Sequence, residues 1–285
     1  MHILVTDSGV GGLSVVAYAE RFVRTHGFTE PVRLTFANAA PANDYGYNSM
    51  PTREEKLETF DRFLRSVTER FAPDSIYVAC NTLSVLLPDT PYFAHAPVPV
   101  QGIVETGVAL LLRELTPRSV AMIFGTQTTI DAGTYPRLLT ERGIEPSHIV
   151  SQACPGLADT ISEDREGTKT REEIRGWVNA AIANMEHAGV PVVAALACTH
   201  YGYRKDVFAA AFEESGIAAR VVNPNERAVD DLFRDTGSHH EVEVKFVTRY
   251  AIPDATVEAL TFFLNEISPR TVAAMRDFEH QPDLF

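Results

Sequence analysis

The sequence predicts an α/β protein of two pseudo-symmetric, three-layer domains with mostly parallel sheets. Three observations carry this. Short apolar runs of strand length alternate with segments of helical periodicity along all 285 residues. Two of these runs, residues 75–79 and 190–197, stop at a cysteine followed by small polar side chains, Cys80-Asn81-Thr82 and Cys198-Thr199-His200. An apolar run bounded in this way reads as a buried parallel strand, and the carboxyl ends of such strands are where open α/β sheets bind ligands. The two cysteines are 118 positions apart, and the same offset lays residues 3–8 over residues 121–126. Two coincidences at one offset point to a repeated unit.

Taken in order, residues 3–6 form a first strand; they lack the basic flank and length of a signal peptide. Asp7 to Gly12 is a strand-to-helix turn, followed by a helix over 13–26 and a strand over 32–37. Residues 38–48 are a polar loop long enough to line a site. Thr52 and Glu55 resemble a capping box, and Leu57, Phe60, Leu64, Val67 and Phe71 then recur at helical spacing. The strand over 76–79 leads to Cys80. Pro88, Pro91, Pro97 and Pro99 read as a linker between domains. The pattern restarts at 98–103, with helices over 105–115 and from Thr126 to about Arg142, and strands over 120–124, 149–153 and 192–197. Residues 162–170 read as charged and exposed, and 172–187 as one helix. Further on come a helix after Arg204, a strand over 219–222, a helix from Asn225, a strand over 241–247, a helix over 254–267 and a frayed tail. The expected division is residues 1–98 plus 209–285 against 99–208, with a site in the cleft between the domains.

Composition narrows the function. Hydrophobic residues make up 45% and charged residues 22%, as in globular proteins, and no apolar run reaches the roughly 18 residues of a membrane span. The net charge of −13 argues against nucleic acid and anionic membrane as partners. Three cysteines are too few for a disulfide framework and point to reduced thiols in a cytoplasmic setting. A thiol works as base or nucleophile only as thiolate, which a neighbouring charge or helix terminus can tune. His200 is two residues from Cys198, and Asp7 ends the strand expected beside that of Cys80. Two mirrored thiols suit a reaction that removes a proton from one face of a carbon and returns one on the other, a racemisation without cofactor.

Asp7-Ser8-Gly9-Val10-Gly11-Gly12-Leu13-Ser14, Cys80-Asn81-Thr82, Gly125-Thr126-x-x-Thr129 with Tyr135 after it, and Cys198-Thr199-His200-Tyr201 together resemble the motifs of the glutamate racemases, in the aspartate/glutamate racemase superfamily. The resemblance covers about residues 3–203. It implies interconversion of L- and D-glutamate, D-glutamate supply for peptidoglycan, and no cofactor or metal. Cys80 would handle the α-proton of the D-enantiomer and Cys198 that of the L-enantiomer, assisted by Asp7 and His200. Ser8, Asn81, Thr82, Thr126, Thr129 and Thr199 would hold the substrate, and Tyr45 and Gly46 would contact its side-chain carboxylate through the backbone. Three departures stand out. Asn38 takes the place of an Asp, Asp44-Tyr45-Gly46 that of Pro-Tyr-Gly, and after Cys154-Pro155 the family's Glu position falls on Ser162, with Glu163 one residue late. These departures keep two alternatives open: a racemase for aspartate or another amino acid, and an inactive amino-acid-binding relative. Whether the chain forms a homodimer is left open.

Plainer explanations compete at each position. Cys80 and Cys198 taken singly could be small buried hydrophobes; the shared polar followers and common offset favour chemistry, whereas Cys154 reads as structural. Asp7 and the four threonines also read as helix caps, which is compatible with carboxylate binding. Gly9-x-Gly11-x-x-Ser14 lacks the third glycine of a dinucleotide fingerprint, and the second strand ends in Ala37-Asn38 without the acidic ribose ligand. The spacing of the cysteines is not that of a zinc site.

Overall fold

The computed structural model describes residues 1–187 and 189–285. The chain forms two compact units, Met1–Ile103 with Asn225–Phe285, and Val104–Pro224. The strands in chain order are β1 (His2–Asp7), β2 (Val32–Asn38), β3 (Ser75–Val78), β4 (Val100–Gly102), β5 (Val120–Gly125), β6 (Ile149–Ala153), β7 (Val192–Ala197), β8 (Ala219–Val222), β9 (Val242–Thr248) and β10 (Glu279–His280).

The first unit is a six-stranded sheet, ordered β10-β9-β2-β1-β3-β4, and every pair in it is parallel. Central β1 is buried from Ile3 to Asp7, as expected of a strand covered on both faces. Helix Leu13–His26 carries Leu13, Val15, Val16, Ala19 and Val23 into the core, and helix Arg53–Phe71 carries Phe60, Phe63, Leu64 and Val67. Each of these buried leucines, valines and phenylalanines contributes about 1.5–3 kcal/mol. Thr52 accepts the Glu55 amide at 3.2 Å, which is one half of the predicted capping box.

In the second unit the sheet runs β6-β5-β7-β8, again all parallel, and every residue of β5 and β7 is buried. The repeat inferred from sequence is a repeat of structure. Thr6 pairs with Val78 in the first sheet, and Phe124 pairs with Leu196 in the second. Both members of that pair are thus displaced by the same 118 residues that separate Cys80 from Cys198, so β1 and β3 correspond to β5 and β7 residue for residue.

Several sequence expectations are corrected. The proline-rich stretch is no linker: Pro91 opens a short helix, Pro91–Ala94, and the segment leads into β4, which pairs with β3 inside the first unit. Residues 209–224, expected with the first domain, lie in the second, because β8 pairs with β7 there. The helix expected after Thr126 is two, Gln127–Asp131 and Thr134–Glu141, separated at Gly133 with φ of 62°. Residues 162–170 are not uniformly exposed, since they hold the end of helix Leu157–Glu163, the start of helix Thr168–Ala183 and the buried Thr170. The last helix also divides, into Asp254–Leu264 and Pro269–Arg276, because Ser268 caps a new helix at Pro269. Nor does the tail fray. Leu284 is fully buried, its carbonyl accepts from Ser66, and the Phe285 ring meets Phe63 edge-on with centroids 5.2 Å apart. Among the described residues no helix is long and apolar enough to cross a membrane.

Candidate active site

In the first unit the predicted residues gather at the carboxyl ends of β1, β2 and β3. Parallel pairing puts Asp7 beside Asn38, and the Ala79 amide donates to the Thr6 carbonyl at 2.9 Å, so the chain after β3 emerges next to Asp7. Cys80 is the N-cap of the short helix Asn81–Ser84, where its Sγ accepts the Leu83 amide at 3.5 Å. The Ser8 hydroxyl lies 3.0 Å from the same sulfur and 3.4 Å from Asp7 Oδ1. Asp7 does not cap the following helix; Gly12 stands at that position without a side-chain bond. A Cβ on Gly12 would meet Asp7 Oδ2 at 2.9 Å, so only glycine lets the carboxylate lie over this turn. Cys80, Asn81, Thr82 and Asp7 are buried. Burial, and after it the negative charge of Asp7, push the Cys80 thiol well above its ordinary range, while the bonds from Ser8 and Leu83 pull the other way.

In the second unit the same strand ends carry Thr126, Thr129, Cys198, Thr199 and His200. Thr126 caps its helix, accepting the Thr129 amide at 3.3 Å, and the two hydroxyls are 3.0 Å apart. Cys198 and Thr199 are buried and His200 is half-buried, its ring set edge-on to Tyr203. Tyr201, fourth residue of the Cys-Thr-His-Tyr run, is structural: its hydroxyl donates to the Cys154 carbonyl at 3.0 Å, tying the turn after β7 to the end of β6. Cys154 is buried, with its thiol 3.7 Å from the Gln152 carbonyl oxygen, and burial raises it.

The loop residues stand differently. Tyr45 is 37% exposed and gives its hydroxyl to Glu55 at 2.5 Å, which raises the phenol. Ser162 bonds back to the Ala158 carbonyl at 3.0 Å on its own helix. Asn38 is fully buried; its amide donates to the Tyr250 hydroxyl at 3.0 Å and accepts from the Ala40 amide at 3.0 Å. Sequence reasoning missed Tyr250, which arrives after β9 from a region without motif. It also missed Tyr47, one residue past Gly46, whose hydroxyl is buried without a hydrogen-bond partner and whose surroundings include Cys80. A large aromatic beside the Tyr45-Gly46 pair was the one available signal.

No family model matches the chain. Individual relatives do. A glutamate racemase of Nitratiruptor sp. is 28% identical over 239 residues, which cover 83% of this chain and 85% of the relative. That of Syntrophus aciditrophicus is 31% identical over 202 residues, covering 69% of this chain and 67% of its own. Among solved structures, a glutamate racemase isoform from Bacillus anthracis has the same fold, with a TM-score of 0.72 over 92% of this chain and 93% of that one at 20% identity. With two cysteine turns in matching register and this extent of identity to Syntrophus aciditrophicus glutamate racemase, the chain belongs to the glutamate racemase family.

Proposed function

We propose that this protein interconverts L- and D-glutamate by two-base proton transfer, and that its product serves peptidoglycan synthesis. The observation that carries the reading is the equivalence of Cys80 and Cys198, each placed at the same register position beyond a buried strand. From D-glutamate, the Cys80 thiolate takes the α-proton: the C–H bond breaks, an S–H bond forms, and the electron pair passes to the α-carbon and its carboxylate. The Cys198 thiol then gives its proton to the opposite face, and the thiolate is left on Cys198. The L-enantiomer runs the same steps in reverse, so protons balance in both directions.

Electrostatics distinguish the two directions. Cys80 rests as a thiol, because burial and the Asp7 carboxylate both oppose its ionisation. It is therefore poised as the acid for L-to-D turnover. As base it needs positive charge beside it, which the ammonium group of the substrate supplies. Asp7 and His200 would assist the neighbouring thiols, and Ser8, Asn81, Thr82, Thr126, Thr129 and Thr199 would hold substrate polar groups. Tyr45 and Gly46 would serve the side-chain carboxylate through backbone groups. Preorganised donors of this kind carry much of the cost of forming a carbanion.

Incubation with L- and D-glutamate and with L- and D-aspartate in D₂O tests the reading, following the α-proton by NMR together with optical rotation. Exchange with inversion of glutamate is expected. Inversion of aspartate alone would move the substrate assignment, and binding without exchange would leave an amino-acid-binding protein.

A further inference from the structure

We propose that Ser8 is a further catalytic residue, a hydroxyl switch that donates to Asp7 while Cys80 is a thiol and swings onto the sulfur when Cys80 becomes a thiolate. This rests on the reading above that Cys80 carries the α-proton. The geometry is that of one proton between two acceptors. Ser8 Oγ lies 3.0 Å from Cys80 Sγ and 3.4 Å from Asp7 Oδ1. A serine hydroxyl has a single proton, so it serves one of the two at a time. A carboxylate only accepts; a thiol can donate, and a thiolate only accepts. With Cys80 protonated, the bonds run in one direction: the thiol donates to Ser8 Oγ, and Ser8 donates to Asp7 Oδ1. Once the sulfur has lost its proton, that arrangement turns an oxygen lone pair of Ser8 on a negative sulfur at 3.0 Å. Rotation about the Ser8 Cβ–Oγ bond brings the hydroxyl proton onto the sulfur and displaces no heavy atom.

The surroundings suit such a switch. The sulfur also accepts the Leu83 backbone N–H at 3.5 Å, a group that can only donate. The hydrogen bond from Ser8 favours the ionised sulfur, against the burial and the Asp7 charge that oppose it. Asp7 ends β1 and Ser8 follows it directly, so one turn holds both hydroxyl and carboxylate. At the equivalent place in the second unit Gly125 precedes Thr126, and the Thr126 oxygen accepts the Thr129 amide. In L-to-D turnover Cys80 gives its proton to the carbanion, and the swing stabilises the thiolate at that step. In the reverse direction the hydroxyl swings back as the sulfur takes the α-proton. No covalent bond of Ser8 breaks in either direction.

The test needs no substrate. The rate at which iodoacetamide alkylates Cys80 at pH 8, read on its peptide by mass spectrometry, follows the thiolate fraction. Ser8→Ala removes the hydroxyl, and a melting curve checks the fold. It should slow alkylation about threefold, because the thiolate loses a donor while the resting thiol loses only the bond that Ser8 gives to Asp7. In an Asp7→Asn background the competing acceptor is uncharged and weaker, so Ser8→Ala should there slow alkylation about tenfold. Equal slowing in the two backgrounds would overturn the proposal. So would an unchanged rate in Ser8→Ala, which is the result for a hydroxyl that only holds substrate. Cys80→Ala separates the levels: turnover retained there removes the role of Cys80 itself, whereas turnover abolished there with an unmoved alkylation rate in Ser8→Ala removes only the role of Ser8.

Discussion

The turns after β3 and β7 occupy the same position in two copies of one topology, and they are built differently. At Cys80 the charged neighbour comes from the adjacent strand: Asp7 ends β1, and Ser8 reaches the sulfur at 3.0 Å. Adding 118 to those positions gives Gly125 and Thr126, which offer no carboxylate, and the Thr126 hydroxyl is turned to its own helix. Cys198 has His200 in its own turn instead. Its turn continues as the 3-10 segment Tyr201–Arg204, whereas Cys80 caps the α-helical turn Asn81–Ser84. The repeat conserves where a thiol stands and changes its surroundings: the Asp7 carboxylate acts on Cys80, and the equivalent strand end beside Cys198 carries no carboxylate. Under the proposed two-base transfer, such asymmetry suits a pair whose members exchange the roles of acid and base.

The largest expected effect tests the equivalence itself. Cys80→Ala and Cys198→Ala should each lose at least about a thousandfold in racemisation, measured by optical rotation, because the proposed transfer needs both thiols. Substantial turnover in one variant alone would mean that the two turns are not counterparts. Next come the neighbours. Asp7→Asn and His200→Asn should each cost about a hundredfold in kcat/KM. The equilibrium constant of a racemisation is unity, so this loss is the same in both directions. The asymmetry should instead show in primary isotope effects: Asp7→Asn should enlarge the effect with α-deuterated D-glutamate, and His200→Asn that with the L-enantiomer.

A smaller effect sharpens the electrostatic difference. The Asp7 charge adds to burial in holding the Cys80 thiol protonated, so Asp7→Asn lowers the pH at which the thiolate forms. Alkylation of Cys80 by iodoacetamide at pH 8, followed by mass spectrometry, should become about tenfold faster. The same shift fixes the sign of a stability effect. The folded state keeps this proton above the ordinary thiol value, so stability present below that value is lost as pH rises through and beyond it, and Asp7→Asn should reduce that alkaline loss. The smallest effects compare the two hydroxyls at equivalent positions. Ser8→Ala should lower kcat/KM a few-fold with little change in melting temperature, because its bond is to the thiol. Thr126→Ala should cost about 1 kcal/mol of stability, because its bond caps a helix.

Much of this arrangement was legible before folding. Buried parallel strands are continuous apolar runs, so β1, β3, β5 and β7 and the polar residues that follow them stood out, and the offset between copies was countable. Short pieces read poorly. The three residues of β4 have no periodicity of their own, and the prolines before them suggested a linker where the chain forms short helices packed in the first unit. The tail read as frayed because its polar residues gave no sign that Leu284 and Phe285 would find the helix carrying Phe63 and Ser66.

By itself the sequence determined the strands, the two cysteines, the residues flanking them and their common offset, since each of these is encoded within a few neighbouring positions. Tertiary structure alone decided that Ser8 meets the Cys80 sulfur, that Tyr201 ties Cys154, and that Tyr250 reaches Asn38 from 212 residues away. Local patterns specify which elements form. Which side chains meet depends on strand order and register, and these are fixed only when the whole sheet closes its hydrogen bonds and buries both faces.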